Sequence, residues 1–174
     1  MLSTYQYPKY DYVQAPELKS GVTKRHPVVV VGAGPVGLAA AIDLAQFGVP
    51  VVVLDDDNSV SVGSRGLCYS RRTLEILDRL GVGEDTVAKG VSWNVGRTFF
   101  NDTEVFNFNL LPQPDFKRPG MVNLQQYYLE EYEIKRAKDL PNLDLRFCNK
   151  VVSVSPEGNG GTLQVELNCT LYHS

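Results

Sequence analysis

At 174 residues, 43% of them hydrophobic, the chain is long enough for one domain with a core of its own. Its formal net charge of −3 leaves no basic excess, which argues against nucleic acid and anionic membrane surfaces as main partners. The longest apolar run, residues 28–42, is broken by glycines and is shorter than the roughly 20 residues of a membrane span, so a cytoplasmic protein is expected.

Residues 1–26 carry Tyr5, Tyr7, Tyr10 and Tyr12 among prolines and polar residues, without helical or strand period. They read as an extended N-terminal arm on the surface, ahead of a domain over 27–174. The β-branched run at 28–31 reads as a strand buried on both faces. It leads into Gly32-Ala33-Gly34-Pro35-Val36-Gly37. In that pattern Gly32 permits a tight turn, Gly34 lets a pyrophosphate approach the backbone, and Gly37 lets the following helix pack on the strand. Pro35 and Val36 open that helix, whose N-terminal N–H groups and dipole favour phosphate. Leu38, Ala41, Ile42 and Ala45 then recur at helical spacing, and Gly48 stops the helix before a strand at 50–54. Asp55 ends that strand, about twenty residues past the first glycine, where a βαβ unit places the acid that bonds the adenosine ribose. An acid there also disfavours a 2′-phosphate.

A polar loop over 56–63 leads to Ser64-Arg65-Gly66. Ser70 then caps a helix with the stripe Leu74, Leu77 and Leu80, closed by Gly81. Residues 95–100 and 104–108 flank an Asn101-Asp102 turn and read as a hairpin, followed by a connection marked by Pro112, Pro114 and Pro119. A second long helix is expected over 124–140, with Tyr128, Leu129, Tyr132 and Ala137 as its apolar positions. Residues 143–147 supply a third parallel strand through a right-handed crossover, and 150–155 with 162–167 form another hairpin. Cys68, Cys148 and Cys169 are odd in number and lack CxxC spacing, so free, mostly buried thiols are expected, with no disulfide framework and no zinc site. His26 and His173 lack an obvious acid partner and receive no role.

On these motifs the chain resembles the flavin-dependent aromatic hydroxylases, the single-component FAD monooxygenases that include p-hydroxybenzoate hydroxylase and 3-(3-hydroxyphenyl)propionate hydroxylase. The resemblance runs from about residue 27 to 167. Gly32, Gly34, Gly37, Ala41, Leu44, Gly48, Val51 and Asp55 fall on the family's FAD fingerprint. Arg65 stands where the family has an arginine along the FAD pyrophosphate and ribityl chain, a role that suits a guanidinium able to donate two hydrogen bonds to phosphate. Gln126, in Asn123-Leu124-Gln125-Gln126-Tyr127-Tyr128-Leu129-Glu130, stands where the family has a glutamine that bonds the flavin. Arg71 and Arg72 read as a solvated helix face.

The resemblance implies an α/β fold, a Rossmann-like FAD-binding βαβ domain with a parallel sheet and β-hairpin insertions. It implies FAD as cofactor, NAD(P)H as electron donor and a small aromatic substrate in a full-length member. The cofactor carries the redox chemistry, so no catalytic acid, base or nucleophile and no metal ligand is nominated. The family's two later FAD motifs have no counterpart, and the chain reads as a truncated member, inactive alone. Its parallel sheet would have an open edge, which predicts self-association. Two rival readings stand beside this one: a non-catalytic module binding only the ADP moiety, and an NAD-dependent dehydrogenase.

Overall fold

The computed structural model describes residues 5–63, 65–110 and 115–167. Ser64, Pro112, Pro114, Cys169 and His173 lie outside them. In chain order the elements begin with α1 (Pro16–Ser20), β1 (Val28–Val31), α2 (Pro35–Gln46), β2 (Val51–Leu54), β3 (Cys68–Ser70), α3 (Arg71–Leu80) and α4 (Gly83–Lys89). They continue with β4 (Val91–Trp93), β5 (Val95–Phe100), β6 (Thr103–Asn109), β7 (Met121–Asn123), α5 (Gln126–Lys138), β8 (Leu143–Arg146), β9 (Asn149–Glu157) and β10 (Gly160–Leu167). The chain forms two compact units, one from Met1–Val62 with Glu133–Ser174 and one from Gly63–Tyr132. The expected α/β class, with a parallel sheet and hairpins, is the one observed.

The first unit is built on a parallel sheet of order β1-β2-β8. All four residues of β2 are buried, because it is the central strand. The expectation that β1 is buried on both faces fails: it is an edge strand, Val28, Val29 and Val30 are half-buried, and Val31 is 57% exposed. On one face of the sheet lies α2, which buries Leu38, Ala41, Ile42 and Ala45. It ends before Gly48, whose φ of 81° is the left-handed conformation that stops a helix. The β9 and β10 hairpin pairs antiparallel about a turn at Gly158 and Asn159.

The N-terminal arm is more structured than its composition suggests. Tyr10 donates its backbone N–H to Asn58 (2.8 Å) and stacks on Phe147 at 4.5 Å between ring centroids. Residues 16–20, expected to be extended, form α1, with Pro16 opening the helix and Gly21 closing it at φ 68°. These are the positions where Pro and Gly favour a helix start and stop. Glu17 on α1 bonds His26 Nε2 at 2.7 Å and pairs with Arg146 of β8 at 3.1 Å. His26 therefore has an acid partner that sequence spacing did not reveal. Burial pushes the Glu17 carboxyl up, but its own backbone N–H, Arg146 and His26 together hold it down at about 2. Cys148 is buried but disulfide-bonded, against the expectation of a free thiol, whereas Cys68 is free as expected but exposed.

The second unit places β7 between β3 and β4 in an antiparallel sheet. Ser70 Oγ accepts the Thr73 N–H, and α3 buries Leu74, Leu77 and Leu80 before Gly81, as expected. The short helix α4 and strands β3, β4 and β7 were not anticipated. Arg118, 5% exposed, donates Nε–H to Asp78 at 2.8 Å and pairs with Glu84 at 2.8 Å, fastening its loop to α3 and α4. Strands β5 and β6 pair about Asn101, whose φ is 49°. Arg72 is a solvated helix residue as expected, but the Arg71 guanidinium lies over the Phe116 ring at 3.6 Å.

Candidate functional site

Strands β1 and β2 run parallel and in register, Val31 opposite Leu54, so their C-terminal ends release the chain at one place. Gly32 turns there with φ 100° and donates its N–H to Leu54 at 2.7 Å. A side chain at that φ is strained, which explains the glycine. Gly34, with extended backbone, is the N-cap of α2, and Pro35 takes the first helical position. Proline has no N–H to leave unsatisfied there. No side chain caps the helix, so its first-turn N–H groups, including those of Val36 and Gly37, lack a partner within the helix. The Val36 side chain itself is 84% exposed.

The glycines differ in what a side chain would meet. A Cβ on Gly37 would overlap the Gly32 carbonyl oxygen and come within 3.3 Å of Val30 Cγ1. This glycine lets α2 close onto β1. A Cβ on Gly34 would meet no atom within 4 Å. The space beside it is open and lies at the positive end of a helix dipole, which is the environment a pyrophosphate requires.

Asp55 enters this turn from the neighbouring strand. Its Oδ2 accepts the Ala33 N–H at 2.5 Å, and its Oδ1 accepts the Asp57 N–H at 2.8 Å. The acid thus fixes the glycine turn itself, a contact that the side-chain pattern could not reveal because Ala33 contributes only its backbone. Burial pushes the Asp55 carboxyl above the usual range, the two amide bonds oppose this, and Asp56 and Asp57 add to it. A carboxylate offers about four acceptor directions, so two amide bonds leave capacity for ribose hydroxyls.

Gly32, Gly34, Pro35, Val36, Gly37 and Asp55 are therefore brought together in the first unit. In the second unit the loop that carries Arg65 lies beside the start of the helix that carries Gln126. Arg65 is exposed at a bend before β3, and the following Leu67 accepts the Leu124 N–H at 2.8 Å. That bond lays the loop beside the start of α5. Gln126 Oε1 stands 3.0 Å from where a Gly66 Cβ would sit, one residue from Arg65. Gln126 Nε2 donates to Glu130 Oε1 at 2.7 Å. Glu130 was not nominated, although its i,i+4 spacing from Gln126 is a signal for such a pair.

A family model described as an FAD binding domain matches residues 25–169. The chain belongs to this family. Its cofactor is accordingly FAD. Among relatives, it is 35% identical over 136 residues to the 6-hydroxy-3-succinoylpyridine 3-monooxygenase of Pseudomonas putida, covering 75% of this chain and 34% of that protein. It is 32% identical over 133 residues to a para-nitrophenol 4-monooxygenase of a Pseudomonas species, covering 75% of this chain and 33% of that one. The crystal structure of a p-nitrophenol 4-monooxygenase from Pseudomonas putida superimposes with a TM-score of 0.74 at 31% identity, covering 80% of this chain and 36% of that chain. The chain thus spans about a third of the length of these relatives. Among the described residues no helix is long and apolar enough to cross a membrane.

Proposed function

We propose that this chain supplies the FAD-binding N-terminal part of an NAD(P)H-dependent flavoprotein monooxygenase acting on a small hydroxylated aromatic ring. The open cradle at Gly34, next to an acid anchored on the same turn, is the observation that carries the cofactor reading. The names of the relatives, a pyridine monooxygenase and a nitrophenol monooxygenase, support the aromatic substrate class.

In this reading the Gly34 backbone and the first-turn N–H groups of α2, at Val36 and Gly37, hold the pyrophosphate. Gly32 sets the turn and Pro35 opens the helix. Asp55 accepts the ribose hydroxyls while holding Ala33 in place. Arg65 neutralises phosphate through its guanidinium, and Gln126 bonds the flavin. When bound, FAD would supply the redox chemistry, by which two electrons from NAD(P)H and O₂ put one oxygen atom on the ring and the other into water. The residues of this chain bind and orient FAD, and none is assigned an acid, base or nucleophilic step.

Titration calorimetry of the purified chain with FAD, ADP and NADH tests the reading. FAD binding more tightly than ADP is expected. Equal affinity for FAD and ADP would favour the ADP-only module, and NADH binding tightest would favour a dehydrogenase. The outer edge of β1, which pairs only with β2 among the described residues, presents unpaired backbone groups beside exposed Val31. Such an edge is a template for association, and concentration-dependent sedimentation is expected in place of a monomer at all concentrations.

A further inference from the structure

We propose that Glu130 is a positioning residue for the flavin contact: its buried carboxylate holds the Gln126 amide in one of its two orientations. The proposal rests on the assignment of Gln126 to the flavin made above. Gln126 is the first residue of α5, and Glu130 stands one helical turn further on. Glu130 is 1% exposed, and its Oε1 lies 2.7 Å from Gln126 Nε2. A carboxylate accepts hydrogen bonds, whereas an amide donates from one end and accepts at the other. Turning the Gln126 amide over would set its Oε1 against a carboxylate oxygen with no hydrogen between them. Glu130 therefore selects the orientation with Nε2 towards the helix and Oε1 towards Gly66.

The other end of the amide faces the loop at Gly66. The Oε1 atom lies 3.0 Å from the position of a Gly66 Cβ, and the Leu67 to Leu124 backbone bond keeps that loop beside the helix. A glutamine without these neighbours would be sorted between two nearly equivalent amide orientations at the moment of binding. Sorting it beforehand is preorganisation, which raises affinity without adding a contact to the ligand. It also gives a role to Glu130, one of two glutamates, with Glu133, buried on a helix face beside Leu129, Ile134 and Ala137.

The test uses the full chain and the variants Glu130→Gln, Gln126→Ala and the double variant. Affinities for FAD and for ADP are read by calorimetry, the visible spectrum of bound flavin is recorded, and folding is checked by thermal melting. ADP is the reference because it lacks the flavin ring. A glutamine at 130 keeps the shape but presents a donor as readily as an acceptor, so it no longer dictates the orientation of Gln126. Glu130→Gln is expected to weaken FAD roughly fivefold, the scale of one hydrogen bond. ADP affinity should stay unchanged, the bound-flavin spectrum should shift, and no loss should be added in the Gln126→Ala background.

Equal weakening of FAD and ADP would overturn the proposal, and so would a loss that adds to that of Gln126→Ala. If Gln126→Ala leaves the FAD to ADP ratio unchanged, the flavin assignment fails and the proposal falls with it. If Gln126→Ala weakens FAD selectively and Glu130→Gln does not, only the positioning role falls. Should Glu130→Gln fail to fold, Gly66→Ala presses on Oε1 from the other side. A loss selective for FAD supports the proposal there, and unaltered FAD affinity overturns it.

Discussion

Substituting alanine at Gly34 and at Gly37 separates ligand space from folding space within one turn. At Gly34 the backbone angles, φ −77° and ψ 177°, are open to any residue, and the new methyl meets no protein atom within 4 Å. The ligand-free chain should keep its stability or gain about 0.4–1 kcal/mol from the lower entropy of the unfolded state. If the pyrophosphate lies against this backbone, the same methyl occupies its place. FAD affinity should then fall at least about tenfold, or roughly 1.4 kcal/mol. At Gly37 the methyl overlaps the Gly32 carbonyl, a backbone atom that cannot rotate away. Separation of α2 from β1 should cost about 1–3 kcal/mol without any ligand, the usual scale of overpacking. Urea denaturation of the ligand-free variants reads the first quantity, and calorimetric FAD titration reads the second. A Gly34→Ala variant that is destabilised, or that binds FAD as tightly as the parent, would refute the assignment of the open side of Gly34 to phosphate.

Asp55→Ala should weaken ADP-containing ligands by roughly 1–3 kcal/mol, because the ribose loses a charged acceptor and the Ala33 turn loses its anchor. Calorimetry showing unchanged affinity would rule out that role, and faster hydrogen exchange at Ala33 should accompany the loss. Glu17, held down at about 2, contributes stability that is present above its ordinary range near 4.5 and is lost as pH falls towards 2. The fall in urea midpoint between pH 6 and pH 3 should therefore be smaller in Glu17→Gln than in the parent. Asp55 has the opposite sign: its raised carboxyl favours the folded state most when protonated, and that contribution is lost as pH rises from its ordinary value near 3.8 through the folded one. Arg118→Met should cost about 1.5–3 kcal/mol in urea, because Asp78 loses its buried partner and keeps only the exposed Lys117.

What was legible in the sequence was local. The turn at 32–37 is written in residues whose backbone requirements are met within a few positions, and Ser70, the leucine stripe and Gly81 do the same for α3. The Asn101 turn declares β5 and β6 because asparagine tolerates positive φ. Strand position is not local. Val28 to Val31 and Val51 to Leu54 have nearly the same composition, yet only the second run is buried, because β8 pairs beside β2 and leaves β1 at the edge. Strands β3, β4 and β7 have three residues each, too few for a period of two to be read. The ion pairs of Glu17 and Arg118 join residues far apart in the chain, and no spacing rule connects them.

Helix α5 shows why a candidate site can hide behind an error about the fold. An apolar face drawn through Tyr128, Leu129, Tyr132 and Ala137 is displaced around the helix from the face observed. Both tyrosines are only half-buried, while Leu129, Glu130, Glu133, Ile134 and Ala137 form the buried stripe. Periodicity treats glutamate as solvent-facing, since a buried carboxylate is costly without partners. At Glu130 a partner is present one turn earlier, in the N–H of Gln126, and that bond changes the cost of burial. Hydropathy alone excludes Glu130 from the core for the same reason that makes it useful there, its need for a donor. A buried acid one turn after a side-chain amide is therefore a pattern that a search for apolar faces discards and a search for hydrogen-bond partners retains.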